Sequence, residues 1–438
     1  MSSIHPLSSI APLSQFDLFG VPPTQGSVVK TIKTEHRPLT AENNNYIEFV
    51  FPTGYDEYID FSQLKLSLIV NLSCKKGATD ASEADWKNVS VINYLLNSLF
   101  QQVDLFINEK QITTSMTTYP YKAFFEALLG IGSDFKTSVL KNSFWIFDND
   151  DYADSSLKKP SSERQKYLPK NGGEIYLKGK LHLDLSFQGR FLLGGMNIKL
   201  RLLLNDPKFV FMVNDVNLSP KFHIKQARLE VSRAKVTQET LIGHHKALSI
   251  APAKYPHIRS EVKAITINKA THSTLIDNAI SGLLPRRVVV GFVANDSFLG
   301  NISKNPFYFH HYKINYFAWK RDGEQFPSLA YQPDFESNKF IIEIDDLFSA
   351  FNQIEHGTNI TEINRLNYKN GLTLFATNFS QDNSDGTAGH FNPISRGSMS
   401  LEIHFKEALS ETINCLIFSE YDSILEVPAD RNPESVVY

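Results

Sequence analysis

Residues Leu64–Ser73 read "LKLSLIVNLS", and their apolar positions Leu64, Leu66, Leu68, Val70 and Leu72 recur at every second residue. That spacing belongs to a strand with one face in a core and the other among polar groups. The same alternation runs through "EIYLKGKLHLDLSF", at Ile175, Leu177, Leu181, Leu183, Leu185 and Phe187, and through "NIKLRLLLND", at Ile198, Leu200, Leu202 and Leu204. Further along, Leu284–Ala294, "LPRRVVVGFVA", reads as a buried strand opening a domain, its face filled by valines. It is followed by a Gly, Asn and Pro-punctuated loop, an aromatic-rich strand, and a tight turn at Asp322-Gly323.

Helical periodicity is confined to two places. In "YPYKAFFEALLGIGS", Tyr121, Phe124, Phe125, Leu128 and Leu129 follow the helix pattern and Gly130 supplies a stop, so a helix is expected with its apolar side down on a sheet. In "KVTQETLIGHHKALS", Thr237 is the expected N-cap, with Val236 and Leu241 spaced as a hydrophobic staple. Two short helices among so many strands predict an all-β chain.

With 438 residues, the chain exceeds the size at which one core usually stops growing, which predicts two domains. Hydrophobic residues make up 42% and charged residues 21%, the range of globular proteins, and 32 Phe with 17 Tyr favour strands. The 44 basic and 47 acidic residues give a formal charge of -3 without a dense basic run, so no strong direct nucleic-acid binding is expected. Only Cys74 and Cys415 are present, both within apolar runs; a disulfide framework is not expected, and a reducing compartment fits best. No signal peptide or transmembrane segment is expected.

Residues 1–30, Ser- and Pro-rich with the apolar trio Phe16, Leu18 and Phe19, read as an N-terminal arm. Turn formers around Asn214–Pro220 suggest a boundary between residues 31–217 and 218–438. The halves echo each other, "LDLSF" at Leu183–Phe187 matching "LEIHF" at Leu401–Phe405, which predicts two tandem β-sandwiches.

Chemistry is hard to place on this chain. His244-His245 and His310-His311 are adjacent in sequence, so each pair diverges on a helix or strand and cannot chelate alone. The acidic run Asp148–Asp154, "DNDDYAD", lacks the glycine and terminal glutamate of a calcium loop and reads as a solvated loop. No GxxxxGK[ST], GxSxG or HExxH occurs. The expectation is a protein that is not an enzyme, with no catalytic, cofactor-binding or metal residues and no cofactor. A dispersed carboxylate pair, as in some glycosidases, leaves a soluble β-sandwich carbohydrate-binding or carbohydrate-active protein as the alternative.

Several stretches in order along nearly the whole chain carry a resemblance: "DLFGVPPTQ" at Asp17–Gln25, "YIDFSQLKLSL" at Tyr58–Leu68, "VINYLLNSLFQQVDLFIN" at Val91–Asn108, "YPYKAFFEALL" at Tyr119–Leu129, "AKYPHIRSEVK" at Ala253–Lys263, "LPRRVVVGFVANDSFLGNISKNPFYFHHYKINY" at Leu284–Tyr316, "DGEQFPS" at Asp322–Ser328 and "GLTLFATNFSQD" at Gly371–Asp382. In these the chain resembles the double jelly-roll major capsid proteins of Polinton/Maverick elements and adintoviruses, and more distantly those of virophages. The resemblance implies two tandem eight-stranded jelly rolls with short helical insertions. It also implies homotrimeric, pseudo-hexameric capsomers that tile an icosahedral shell around double-stranded DNA, contacting neighbouring capsomers and a single jelly-roll penton protein. The implied location is the virion capsid, assembled inside the host cell. Within that frame the aromatic-rich strand Phe307–Trp319 and the sandwich flanks are expected in or beside the contact between subunits.

Overall fold

Alternating side chains become paired strands in the computed structural model, which describes residues 18–39, 45–146, 162–351, 363–382 and 390–436 and, nearer the N-terminus, residues 5, 7, 8 and 14–16. The first half contains β1 (Val28–His36), β2 (Tyr46–Pro52), β3 (Glu57–Lys76), β4 (Phe100–Ile107), β5 (Lys110–Gln111), β6 (Gly173–Gly179), β7 (Asn197–Leu204) and β8 (Leu218–Val236). They pair antiparallel in the orders β1-β8-β3-β6 and β2-β7-β4-β5. Leu64 to Leu72 lie in β3, where every second residue is buried.

The second half contains β9 (Ala253–Ile267), β10 (Ser273–Leu283), β11 (Arg287–Ala294), β12 (Ile314–Arg321), β13 (Glu324–Tyr331), β14 (Leu374–Asn378), β15 (Arg396–Phe405) and β16 (Ile413–Val427). Their orders, β9-β16-β11-β14 and β10-β15-β12-β13, reproduce the first half strand for strand. Each half is therefore an eight-stranded, two-sheet sandwich with jelly-roll connections. The valine-filled strand is β11, buried at all of its residues; its apolar run is continuous because both faces are covered.

Several features differ from the sequence expectations. The boundary at 217/218 is displaced: Leu218–Val236 is β8, hydrogen-bonded between β1 and β3, so the first sandwich runs to Val236. Helix α2 (Gln238–Leu248), capped by Thr237 as expected, links it to β9. Turn formers mark the entry to a strand as readily as the end of a domain, and only the pairing tells them apart. Likewise the arm ends sooner than residue 30, because β1 begins at Val28.

The alternation through Phe187 also stops short. Strand β6 ends at Gly179, where an added Cβ would sit 1.9 Å from the Ser143 Oγ, so the backbone passes too close to Ser143 for any larger residue. Residues Asp184–Phe187 form a 3-10 turn instead. "LDLSF" is thus a turn while "LEIHF" lies in β15, whose true counterpart is β7. The repetition of the halves is one of strand order, and the short sequence match does not carry it.

Helix α1 (Tyr119–Gly130) forms where the period placed it and stops at Gly130, but it does not lie on one sheet. It is buried on nearly every side between the two sandwiches. A third helix, α3 (Ile341–Ala350), packs against β14. The run Asp148–Asp154 falls outside the described residues.

Candidate assembly surfaces and the junction between the sandwiches

The junction is built on α1. Phe124 stacks on Phe307 of the second half with ring centroids 4.4 Å apart and tilts against Trp145 of the first at 5.3 Å. Phe125 contacts Phe309 at 5.1 Å and Phe418 of β16 at 5.4 Å. A residue that faces two sandwiches gains burial from both, and this explains why α1 is apolar around most of its circumference rather than along one stripe.

A buried polar network crosses the same seam. Lys122 Nζ donates to Asp184 Oδ1 at 2.5 Å and lies 3.9 Å from Glu126. Glu126 also meets His182 Nδ1 at 2.6 Å and accepts from the Ser260 hydroxyl of β9. His182 Nε2 sits 2.6 Å from the Tyr94 hydroxyl. Burial by itself would lower the Lys122 ammonium, but Asp184 and Glu126 outweigh it, so its pKa rises and the lysine stays charged. Further bonds fasten one half to the other: Thr118 Oγ1 to the Val262 carbonyl at 2.8 Å, Arg190 Nη1 to the Lys254 carbonyl at 2.7 Å, and Asn108 Nδ2 to the Arg431 carbonyl at 2.7 Å. None of Lys122, Glu126, His182, Asp184 or Ser260 was singled out in the sequence. Two of them, Lys122 and Glu126, could have been noticed as charges set inside an otherwise apolar helix.

His244, His310 and His311 take structural positions. His244 Nδ1 lies 2.9 Å from the Tyr58 hydroxyl, holding α2 against β3. His310 and His311 accept from the backbone amides of Tyr312 and Lys313 at 2.8 and 2.9 Å, and His311 stacks on Phe335 at 4.3 Å. Burial lowers both imidazoles, His311 to about 3. Among the described residues no group of three or more His, Cys, Asp or Glu side chains could hold a metal ion. Cys74 and Cys415 are separate buried thiols, raised in pKa by burial. No helix among the described residues is long and apolar enough to cross a membrane.

Within the aromatic string Phe307–Trp319, four of the rings are spent inside the chain. Phe307, Phe309, Phe317 and Trp319 are all buried, the first two against α1 and Phe317 stacked on Phe375 at 4.4 Å. Large apolar area marks burial without saying in what.

Unpartnered apolar area lies elsewhere. The edge strand β13 is flanked by two depressions of about 810 and 900 Å³ that share Pro327, Ser328, Tyr331 and Asp346. The larger is lined by Leu329, Ile341 and Ile342, which are 84%, 57% and 69% exposed. In the N-terminal arm Phe16, Leu18, Phe19 and Val21 are likewise exposed.

No family model matches the chain. An uncharacterized protein of Caenorhabditis elegans is 24% identical over 400 residues, covering 88% of this chain and 92% of that protein. Among solved structures, a chain of the Sputnik virophage structure determined by cryo-EM superposes with a TM-score of 0.66 at 11% identity, covering 99% of this chain and 94% of that one. This is the double jelly-roll fold. The Faustovirus major capsid protein matches with a TM-score of 0.58 at 10% identity over 93% of this chain and 92% of its own. The mavirus major capsid protein matches with a TM-score of 0.55 at 10% identity over 100% and 97%. These neighbours of the double jelly roll are structural capsid proteins rather than enzymes.

Proposed function

We propose that this chain is a major capsid protein of the Polinton/Maverick and adintovirus type, whose homotrimers form pseudo-hexameric capsomers that tile an icosahedral shell around double-stranded DNA. The observation that carries the reading is the repetition of one strand order in two sandwiches of a single chain. Three such chains present six similar bodies about a threefold axis, and a near-hexagonal tile of that kind covers a closed lattice with few gaps. The match in fold to the mavirus and Faustovirus major capsid proteins supports it. So does the packed and hydrogen-bonded junction, because a tile holds its outline only if its two sandwiches keep one relative orientation.

In this reading the depressions beside β13 and the arm meet neighbouring copies, and a single jelly-roll penton protein fills the fivefold positions. The formal charge of -3 leaves genome condensation to separate basic proteins. Negative-stain imaging and size-exclusion chromatography of the purified protein test this. Trimeric particles of hexagonal outline are expected; a stable monomer at micromolar concentration overturns the proposal and restores a β-sandwich carbohydrate-binding protein as the better account.

A further inference from the structure

A cavity of about 270 Å³ opens beside α1 at the junction, and its walls come from both sandwiches. Phe125 and Leu129 of α1, Phe418 of β16 and Phe351, just beyond α3, form an apolar interior. Phe187 of the first half and Ile258 of β9, 51% and 38% exposed, stand at its mouth. Close-packed interiors seldom leave voids much larger than a water molecule, and an apolar void forgoes dispersion contacts along its walls.

The charges at the cavity are closed among themselves. Arg287 binds Glu420 at 2.5 Å, donates to the Ala350 carbonyl at 2.8 Å and stacks over Phe351 at 3.8 Å. Arg286 lies 3.5 Å from Glu420 and 3.3 Å from Asp422. Two cations thus face two anions, while Glu126 is engaged by His182 and Ser260. An ionic ligand would meet no uncompensated partner here, whereas an uncharged apolar one would meet aromatic walls.

We propose that this cavity is a binding site for a small uncharged apolar molecule, an aromatic ring system or a short alkyl chain. A cavity of ~150 Å³ lined by Leu, Ile and Phe is enough to admit benzene, so this one accepts one or two rings. Because its walls belong to both sandwiches, an occupant ties them together and raises the stability of the whole chain by linkage. The inference concerns the folded chain and does not depend on shell assembly.

Toluene is the probe, titrated into the full-length protein by calorimetry and followed in parallel by thermal unfolding. Saturable binding with a rise in Tm is expected. Ile258→Trp, which narrows the mouth from a partly exposed strand position, should weaken binding at least tenfold. Leu366→Trp, at an exposed site away from the cavity lining, should bind as the wild type does. Leu129→Phe, filling the interior, gives the same readout should the mouth variant not fold. Absence of saturable binding to the wild type, or wild-type affinity in the folded cavity variant, overturns the proposal.

Discussion

The two sandwiches share a strand order but spend the same connection differently. Between β5 and β6 the first places α1, buried against both halves; between β13 and β14, the corresponding slot, the second places α3, which leaves Ile341 and Ile342 in solvent. Their edges differ too. Strand β5 has 2 residues, Lys110 and Gln111, both exposed and polar, while β13 has 8 and is flanked by two depressions, the larger of them mainly apolar. Short polar edges resist further pairing and longer ones invite it. Repetition of a topology therefore fixes the frame, and the insertions decide which half closes the molecule and which leaves apolar side chains exposed.

The sharpest way to break this contrast is at α1. Phe124→Ala should destabilise the chain by about 4 kcal/mol, in the range for deleting a buried phenyl ring. Both halves should unfold earlier in one chemical-denaturation transition. Two separate transitions with only one displaced would mean that α1 belongs to a single sandwich.

Breaking the polar seam comes next. Lys122→Met leaves the Asp184 carboxylate buried beside Glu126 and should destabilise by about 3 kcal/mol, whereas Lys122→Met combined with Asp184→Leu should recover most of it. A double-mutant cycle in urea measures the coupling; additive losses would show that the pair does not act as a unit.

Acid should act more weakly. His311 is held from its usual 6.5 down to about 3, first by burial and then by His310, Lys369 and Lys313, with Glu336 opposing. Below pH 6.5 the unfolded chain takes up a proton that the folded imidazole refuses, so stability falls as pH drops from 6.5 toward 3. The loss should reach about 2 kcal/mol by pH 5. His311→Asn, which keeps an acceptor for the Lys313 amide, should flatten that part of the pH profile of unfolding; an unchanged profile would place the acid sensitivity elsewhere.

The smallest effect on folding should come at the exposed face. Leu329→Arg with Ile342→Arg should change stability by under about 0.5 kcal/mol each, as surface substitutions do. On the proposed function the same pair should nonetheless abolish trimers in size-exclusion chromatography, while arginine at Val216, exposed on the first half, should not.

Strand content was legible because alternation is local: Leu64 to Leu72 and Ile198 to Leu204 carry their burial in their spacing. Helix α1 and the Thr237 cap were legible for the same reason. The junction was not. Asp184 and Ser260 are 76 residues apart and bonded at 3.4 Å, a separation no short window spans. Nor could composition tell that Phe307 and Phe309 face α1 rather than another subunit, since an aromatic ring loses the same water against either.

What the amino-acid order determined by itself was the predominance of strands, the strand character of stretches such as Leu64–Leu72, and the helices at Tyr119–Gly130 and after Thr237, because side-chain period and turn chemistry act over a few residues. Tertiary structure alone decided where the first sandwich ends, which of two equivalent insertions is interior, and which apolar surface is left over. Those outcomes depend on β8 returning to pair with β1 and β3 from far along the chain, and burial is settled only when such distant partners have met.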